Sequence, residues 1–315
     1  MNNILGHHHV TLCVGKAQED YDFHTKVLGL KSVKKTLLFD GKIPIYHLYY
    51  GNETGDPSTL ITCFPMDHVK AEGKRGSGQI KTILCSVPYD SINFWQSRLK
   101  DYGIENRIYE RFGEKRIKLT HPCGIGYEMV GVEKDTRKPY INGDMGEANA
   151  IRGVYGITVS VREQAQQSKF MKDGIGFNNT GEEENHTRYE VSDGGPGRVV
   201  EFLEEPDLEQ GSWVFAAGTV HHCAFGVNDA EEQAIVKNRL EGIGYTDCSD
   251  VKDRKYFHSV YFRTPGGALF EATYNSEKGF QTDEALADFG KDIQVSPQFE
   301  QDKDELIAQL EPLNY

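Results

Sequence analysis

The feature that most constrains the fold is a fourfold internal repeat. Four stretches share a run of β-branched, aromatic and small residues, an amphipathic helix, and further extended segments. The opening strands are predicted at 8–14, 80–87, 154–161 and 221–227. The helices are predicted at 17–28, 90–102, 163–173 and 230–241, each followed by glycine, which commonly ends a helix. The chain is therefore predicted to have an α+β fold with four βαβββ units.

The four repeats are expected to form two domains, which a chain of 315 residues can accommodate. Residues 1–135 would form an N-terminal domain of two repeats, and residues 150–275 a C-terminal domain of two repeats. The polar segment between them contains proline and glycine and is predicted to be a linker. Residues 276–315 form an acidic extension that we expect to pack on the domains, with an amphipathic segment at 304–310.

Composition and net charge indicate which classes of binding partner and which cellular compartment to expect. The net charge of −13 weighs against nucleic acid and anionic membranes as partners. No apolar run approaches the ~20 residues that a membrane-spanning helix needs, and the N-terminal residues lack the pattern of a secretory signal. The six cysteines include no CxxC pair, which is typical of reduced thiols. We therefore expect a cytoplasmic protein with a small-molecule partner; the sequence leaves open whether it is a homo-oligomer.

Imidazoles and a carboxylate occur at matching places in the outermost repeats. Gly29 lies 20 residues after His9, and Gly242 lies 20 residues after His222. Glu271 lies within an apolar run on the last predicted strand, 49 residues after His222. A buried carboxylate is costly unless it is paired or binds a cation. We therefore predict that His9, His222 and Glu271 converge on one divalent metal, which one N-terminal and two C-terminal ligands would hold.

Two imidazoles and one carboxylate form the facial triad of non-haem Fe(II) oxygenases, and Mn(II) fits the same ligands. Neighbouring residues on a strand face opposite sides, so only one member of each histidine pair can bind. We choose His9 over His8 and His222 over His221, because Thr11 and Ala224, two residues further on, continue a small inward face. The two middle repeats supply carboxylates but no imidazole on their opening strands, and we expect that pair of repeats to be structural. The competing hypothesis is that the trio forms a buried hydrogen-bonded cluster without metal.

Segments along nearly the whole chain resemble the vicinal-oxygen-chelate superfamily, and within it the hydroquinone and chlorohydroquinone 1,2-dioxygenases. These segments are HHVT at 8–11, VKKT at 33–36, FDG at 39–41, PIYHLY at 44–49, KRG at 74–76, YTD at 245–247, RTPGG at 263–267 and VSPQ at 295–298. The resemblance implies two tandem vicinal-oxygen-chelate domains. It also implies an Fe(II)-dependent oxidoreductase that opens a hydroquinone-type aromatic ring with O2, as in the catabolism of aromatic compounds.

The same resemblance places four further residues near the metal. Thr11 could hydrogen-bond a bound oxygen species, and His221 could carry a proton. Arg254 could hold a phenolate or carboxylate, and Tyr261 could face the metal. For each residue the alternative is an ordinary structural role. We assign the histidines that have no counterpart in another repeat to structural roles: His24, His47, His68, His121, His186 and His258.

Two other function classes stay open at this point. One is a different metal-dependent enzyme of the superfamily, such as a catechol-cleaving extradiol dioxygenase or a glyoxalase-type isomerase. A zinc site of the glyoxalase type would be expected to use a further protein ligand, which the sequence does not supply. The other is a metal-free protein that binds an aromatic compound and confers resistance.

Overall fold

The computed structural model describes residues 3–38, 41–70 and 72–314. Phe39 and Asp40, which belong to one of the segments behind the resemblance, lie outside the described residues. The described part contains four successive units, each made of a strand, a helix and three strands. The predicted α+β fold with four βαβββ units is confirmed.

The first two units occupy the N-terminal half of the chain. Unit one consists of β1 (Gly6–Val14), α1 (Ala17–Asp22), β2 (Lys31–Leu38), β3 (Ile45–Gly51) and β4 (Leu60–Pro65). Unit two consists of β5 (Gln79–Pro88), α2 (Ile92–Asp101), β6 (Arg107–Arg111), β7 (Glu114–Thr120) and β8 (Gly126–Val132).

The last two units and the extension follow. Unit three consists of β9 (Gly153–Val161), α3 (Ala165–Lys169), β10 (Asn178–Glu183), β11 (His186–Glu190) and β12 (Val199–Glu204). Unit four consists of β13 (Thr219–Gly226), α4 (Ala230–Gly242), β14 (Lys252–Asp253), β15 (Phe257–Arg263) and β16 (Leu269–Asn275). The extension adds β17 (Ile293–Gln294) and α5 (Lys303–Ile307).

Shorter helical turns complete the secondary structure. Turns of π-helix continue α1 and α3, at Phe23–Val27 and Phe170–Gly174. Turns of 3₁₀-helix lie at Asp67–Val69, Tyr89–Ser91, Gly279–Thr282, Leu286–Asp288 and Pro297–Asp302. The predicted glycine stop is seen after α1, where Gly29 adopts a φ of +70°, a conformation that favours glycine. Among the residues that the structure describes, no helix is both long and apolar enough to cross a membrane.

The strands form two sheets, and each sheet combines units from both halves of the chain. The nine-stranded sheet has the order β14-β15-β16-β13-β1-β4-β3-β2-β17, so it joins units four and one. The eight-stranded sheet has the order β10-β11-β12-β9-β5-β8-β7-β6, so it joins units three and two. In each sheet the central contact is an antiparallel pair of opening strands, β1 with β13 and β5 with β9. The division into domains at 1–135 and 150–275 stays a prediction.

Side chains alternate along β16, so one face of the nine-stranded sheet packs into the core and the other carries the site. On β16, Phe270 is fully buried and lies 6.2 Å, between ring centroids, from Phe170 of the helical turn that follows α3. The neighbouring Glu271 faces the other side of the nine-stranded sheet, because successive side chains on a strand point to opposite faces. Helices and apolar side chains therefore cover one face of this sheet, and the polar groups gather on the other.

Candidate metal centre and its pocket

Three side chains from the two outermost units converge in the middle of the nine-stranded sheet. The Nε2 atoms of His9 and His222 lie 3.0 Å apart. The Oε2 atom of Glu271 lies 2.9 Å from Nε2 of His222 and 3.8 Å from Nε2 of His9. All three side chains are buried. The trio selected from the sequence is thus a spatial cluster of metal-ligating groups.

Strand register explains why these three positions meet. His9 pairs with Ala224 across β1 and β13, and Ala224 pairs with Glu271 across β13 and β16. His222 pairs with Thr11, two residues along the same face. The register of β1 against β13 shifts between His7 and His9, and such an irregularity re-aims side chains. The pairing of the first unit with the fourth is therefore what assembles the cluster.

The carboxylate of Glu271 is incompletely satisfied by protein groups. Its Oε1 atom accepts a hydrogen bond of 2.5 Å from the Ser259 hydroxyl. Its Oε2 atom is buried and has no hydrogen-bond donor of suitable geometry among the described residues. Burial raises the pKa of this carboxyl, but the imidazoles of His222 and His9 lower it more, so the pKa lies below its usual range. An ionised, buried carboxylate whose Oε2 atom faces two imidazoles suits a cation.

Each histidine of the trio is paired with the histidine that precedes it. The Nδ1 atom of His9 lies 2.9 Å from Nδ1 of His8, whose Nε2 lies 2.8 Å from the side-chain oxygen of Asn275. The Nδ1 atom of His222 lies 2.7 Å from Nδ1 of His221. Burial lowers the pKa of His9 well below its ordinary value, which favours the neutral imidazole that a metal needs. These contacts engage Nδ1 and leave Nε2 of both rings directed to Glu271.

A cavity of about 830 Å³ opens onto the trio. His9, His221, His222, Arg254 and Tyr261 all contribute to its wall. The Nε atom of Arg254 donates a hydrogen bond of 3.2 Å to the Tyr261 hydroxyl. The His221 ring stacks on Phe215 with 3.6 Å between ring centroids. Three of the four residues expected beside the metal therefore line one cavity with two of the predicted ligands.

Thr11 lies beneath this cavity and contacts the trio directly. Its Oγ1 atom lies 3.1 Å from Nε2 of His222 and 2.8 Å from Oγ1 of Thr62. Thr62 lies on β4, the strand of unit one that corresponds to β16 of unit four. Where unit four has a carboxylate, unit one therefore has a hydroxyl.

Sequence and structure comparisons assign the chain to a family. No family model matches it. The chain is 39% identical over 310 residues to chlorohydroquinone/hydroquinone 1,2-dioxygenase of Sphingobium indicum; the match covers 98% of this chain and 96% of that protein. The chain belongs to the ring-cleaving dioxygenase family. The resemblance stated from the sequence, and the enzyme class that it implied, are confirmed.

Other relatives agree with this family. The chain is 34% identical to MhqO, a candidate ring-cleaving dioxygenase of Bacillus subtilis, over 98% of this chain and 96% of that protein. A crystal structure of a candidate dioxygenase from Bacillus subtilis superposes with a TM-score of 0.92 at 33% identity, covering 100% of this chain and 99% of the other. Glyoxalase I from Zea mays shares the fold, with a TM-score of 0.64 at 14% identity, covering 85% and 92% of the two chains.

The ring-cleaving dioxygenase family and its fold imply a divalent metal, and the trio fits one. Ligand atoms about 2.1 Å from a metal and at adjacent corners of an octahedron lie about 3 Å apart. The two shorter separations in the trio, 3.0 and 2.9 Å, match this spacing. A buried carboxylate oxygen this close to two imidazole nitrogens suits a shared cation, although a proton on Nε2 of His222 would also pair with it at 2.9 Å.

His47 belongs to the pocket of this dioxygenase, although the sequence suggested a structural role. It lines the cavity, and its Nε2 lies 3.1 Å from Oγ1 of Thr62. Its Nδ1 lies 2.8 Å from the Tyr49 hydroxyl. Hydrogen bonds thus link His47 to Thr62 and Thr62 to Thr11, whose hydroxyl lies 3.1 Å from Nε2 of His222. This position favours a role at the site over the structural role expected from the sequence.

A repeat-based signal could have identified His47. In unit four, Tyr261 pairs with Glu271 across neighbouring strands, and Ser259 lies two residues before Tyr261. In unit one, Tyr49 pairs with Thr62 in the same manner, and His47 lies two residues before Tyr49. His47 therefore occupies the place of Ser259, the residue that hydrogen-bonds Glu271. Aligning the third strands as well as the first and last would have placed it at the site.

In the eight-stranded sheet, the place that corresponds to the trio holds the guanidinium of Arg116. Arg116 is fully buried, and its NH2 atom lies 2.6 Å from Oε1 of Glu201 while its NH1 atom lies 3.0 Å from Oε2 of Glu128. Arg188 also contacts Glu201, at 2.8 Å. Burial raises the pKa of Glu201, but Arg116 lowers it more, so the net shift is downward. The two carboxylates of the middle units are therefore neutralised by arginine, in agreement with a structural role for this half.

A second buried group of metal-ligating side chains lies between units one and two. Asp20, His24 and His121 are buried and close together. The backbone N–H of Cys123 donates to Nδ1 of His121, which fixes the ring proton on Nε2, 3.2 Å from Oδ1 of Asp20. The Tyr50 hydroxyl donates to Oδ2 of Asp20 at 2.7 Å. Oδ1 of Asp20 and Nε2 of His121 are nevertheless buried without a hydrogen bond of suitable geometry among the described residues, so the structural role expected for His24 and His121 stays a prediction.

Proposed function

We propose that the chain is an Fe(II)-dependent dioxygenase that opens a hydroquinone-type ring with O2. In this proposal His9, His222 and Glu271 hold the metal; Mn(II) suits the same donors. The observation that carries the proposal is the convergence of three ligating atoms beside a cavity of about 830 Å³ that His9 and His222 line. The 39% identity to a chlorohydroquinone/hydroquinone 1,2-dioxygenase supports the choice of substrate.

Bound iron would supply redox chemistry and coordination positions for oxygen donors. The two hydroxyl groups of a 1,4-hydroquinone lie on opposite ring carbons, so only one can approach the trio at a time. Cleavage between the carbon bearing that hydroxyl and its neighbour, with both atoms of O2 retained, gives an open-chain acyl product. The protein's task is to orient the ring, to exclude water and to hold protons near the reacting oxygen atoms.

The pocket residues divide this task. Arg254 and Tyr261, joined by a hydrogen bond, offer a cation and a hydroxyl at one part of the wall. With Nε2 of His222 free of a proton for the metal, Nδ1 of His222 donates to Nδ1 of His221, which places the His221 proton on Nε2. His221 could therefore donate a hydrogen bond to substrate or product. Thr11 contacts the trio through its hydroxyl and could hydrogen-bond a bound oxygen species.

Unit one offers no second carboxylate at the trio, which weighs against a glyoxalase-type zinc site. The position that corresponds to Glu271 is Thr62, and the group of ligating atoms among the described residues contains three members.

The cytoplasmic location that we propose rests on the six cysteines, all of which are free thiols. The partners in this proposal are the aromatic substrate and O2.

The decisive experiment is anaerobic reconstitution with Fe(II), followed by oxygen-electrode assays with hydroquinones and catechols. We expect one O2 consumed per ring opened with a 1,4-hydroquinone and little uptake with catechol. Reconstitution with Mn(II) in parallel identifies the metal that supports turnover. Uptake with catechol but not with hydroquinone would contradict the proposed substrate. Failure to bind either metal would contradict the proposed site.

A further inference from the structure

The extension after β16 forms one wall of the pocket. Residues 294–299 line the cavity beside the predicted metal ligands. This segment is attached to the sheet edge through β17, where Ile293 pairs with Lys35 and Gln294 pairs with Thr36 in parallel register. The wall is therefore contributed by chain that belongs to none of the four units.

Buried ion pairs fix this wall in place. The Lys34 side chain is fully buried and contacts the carboxylates of Asp283 and Glu284 as well as the backbone oxygen of Phe280, at 3.2 Å. Lys255, which also lines the pocket, contacts Asp283 at 2.5 Å and donates to the backbone oxygen of Val295 at 3.2 Å. Two lysines thus connect the extension to β2 and to the turn that carries Arg254, so the size of the pocket is set by the fold.

The pocket is much larger than a single aromatic ring. A cavity of about 150 Å³ is sufficient to bind benzene. The cavity above the trio measures about 830 Å³. Because the cavity is partly open to solvent, a bare hydroquinone at the trio would occupy only part of it, and a larger ligand would exclude more water.

Apolar side chains form one part of the wall of this cavity, and polar side chains form the rest. Phe64 and Met66 form a buried apolar cluster against which Phe215 packs, and all three line the cavity. Val295, on the opposite chain segment, is buried and lines it as well. Leu38, another lining residue, is 42% exposed. Apolar surface of this kind gains free energy when a ligand covers it, at about 25 cal/mol per Å².

We propose that the preferred substrate is a hydroquinone with an apolar substituent bulkier than chlorine or methyl. The substituent would contact Met66, Phe215 and the wall formed by the extension. This inference rests on the proposed function for the chemistry at the trio, but the preference for a bulky apolar ligand is a property of the pocket itself. Arg254 would suit a carboxylate-bearing ring instead; the apolar cluster that contains Met66 and contacts Phe215 favours the first choice.

The test compares hydroquinone with its methyl, tert-butyl and phenyl derivatives and with 2,5-dihydroxybenzoate. Binding is measured by anaerobic calorimetry, and turnover is measured on the iron-loaded enzyme. We expect phenylhydroquinone to bind at least about tenfold more tightly than hydroquinone, because one or more buried apolar groups give discrimination of that order. The same preference should appear in kcat/KM, mainly through KM. Equal binding of all derivatives, or tightest binding of 2,5-dihydroxybenzoate, would overturn the inference.

A matched pair of variants separates the pocket from a general effect. Met66→Trp, which fills the apolar end of the cavity, should reduce the preference for phenylhydroquinone at least about tenfold. Leu286→Trp, at a position on the extension that is 38% exposed and outside the cavity lining, should leave the preference unchanged. If both variants change the preference for phenylhydroquinone equally, the inference is wrong. If the binding preference holds but no hydroquinone is oxidised, the proposed function fails and the binding inference stands.

Discussion

The Nε2 atom of His222 lies 2.9 Å from the Oε2 atom of Glu271, although 49 positions separate the two residues in sequence. β13 and β16 are parallel neighbours, so the contact is made within unit four. His9 reaches the same place from the other end of the chain, through the pairing of β1 with β13. The cluster therefore depends on the closure of the nine-stranded sheet by its first and last units.

Replacing Glu271 by glutamine tests the predicted ligand set. Glutamine has nearly the same shape but lacks the charge that balances a divalent ion. We expect the affinity for Fe(II) to fall by more than about 100-fold, beyond the 10- to 100-fold loss typical of an outer-shell partner. Metal analysis after dialysis is the measurement. Glu277→Gln, at an exposed position two residues past β16, should keep full metal content. Stoichiometric iron in E271Q would remove Glu271 from the ligand set.

Metal binding should also stabilise the fold. A ligand that binds only the folded protein adds about 2.7 kcal/mol to the free energy of unfolding when its free concentration is 100 times Kd. We expect anaerobic Fe(II) or Mn(II) to raise the unfolding midpoint of the parent protein and to leave that of Glu271→Gln unchanged. Thermal unfolding followed by circular dichroism measures both. An equal rise in the two proteins would indicate that the stabilising metal binds elsewhere.

The hydrogen bonds that link His47 to Thr62 and Thr62 to Thr11, beside the trio, predict a functional effect without loss of metal. His47→Asn removes the link to Thr62, which in turn contacts Thr11. We expect kcat to fall about 10- to 100-fold, the range for residues that support metal ligands, with iron content retained. Tyr49→Phe, which removes the hydroxyl beside Nδ1 of His47, should give a smaller decrease.

A histidine outside the pocket provides the control for this prediction. His68 is exposed and does not line the cavity, so His68→Asn should leave kcat unchanged. Steady-state oxygen uptake and metal analysis on the same preparations are the measurements. Full activity of His47→Asn would return His47 to the structural role first assigned to it.

The trio could be predicted from the sequence, whereas the place of His47 was not foreseen. The repeats were visible because each combines a period-two strand with a helix that ends at glycine. His9, His222 and Glu271 stood out because similar residues recur at matching distances in separate repeats. The α+β fold and the members of the cluster could therefore be predicted.

Other features depend on information that one chain does not display. The place of His47 follows from the register of β3 against β4, which local patterns do not fix. The pocket wall at 294–299 depends on the parallel pairing of β17 with β2, a contact between residues about 260 positions apart. The buried position of Arg116 was likewise not foreseen, because it depends on the pairing of β7 with β8.

Arg116 provides a stability prediction for the other sheet. Arg116→Leu would leave Glu201 and Glu128 buried with less positive charge nearby, and breaking a buried ion pair from one side costs about 3–5 kcal/mol. We expect a decrease of this order in the free energy of unfolding, measured by urea denaturation. Lys118→Leu, an exposed change on the same strand, should cost less than about 0.5 kcal/mol.

A second substitution tests the electrostatic cause. Adding Glu201→Gln to Arg116→Leu removes one of the uncompensated charges, so the double variant should be more stable than Arg116→Leu alone. Metal content should remain that of the parent, since neither residue contacts the trio. If Arg116→Leu is as stable as Lys118→Leu, the guanidinium does not compensate the carboxylates in the way proposed.

The stability of the eight-stranded sheet should depend on pH through His186, on β11. Burial, assisted by the charge of Arg111, lowers the pKa of His186 from 6.5 to about 4. Between these values the unfolded imidazole binds a proton that the folded one does not, so stability is present above pH 6.5 and falls as the pH is lowered towards 4. We expect the urea midpoint to decrease less from pH 7 to pH 5 in His186→Gln than in the parent, whereas the exposed-site control His68→Gln should match the parent. If the urea midpoint of His186→Gln decreases as much as that of the parent, groups other than His186 cause the acid sensitivity.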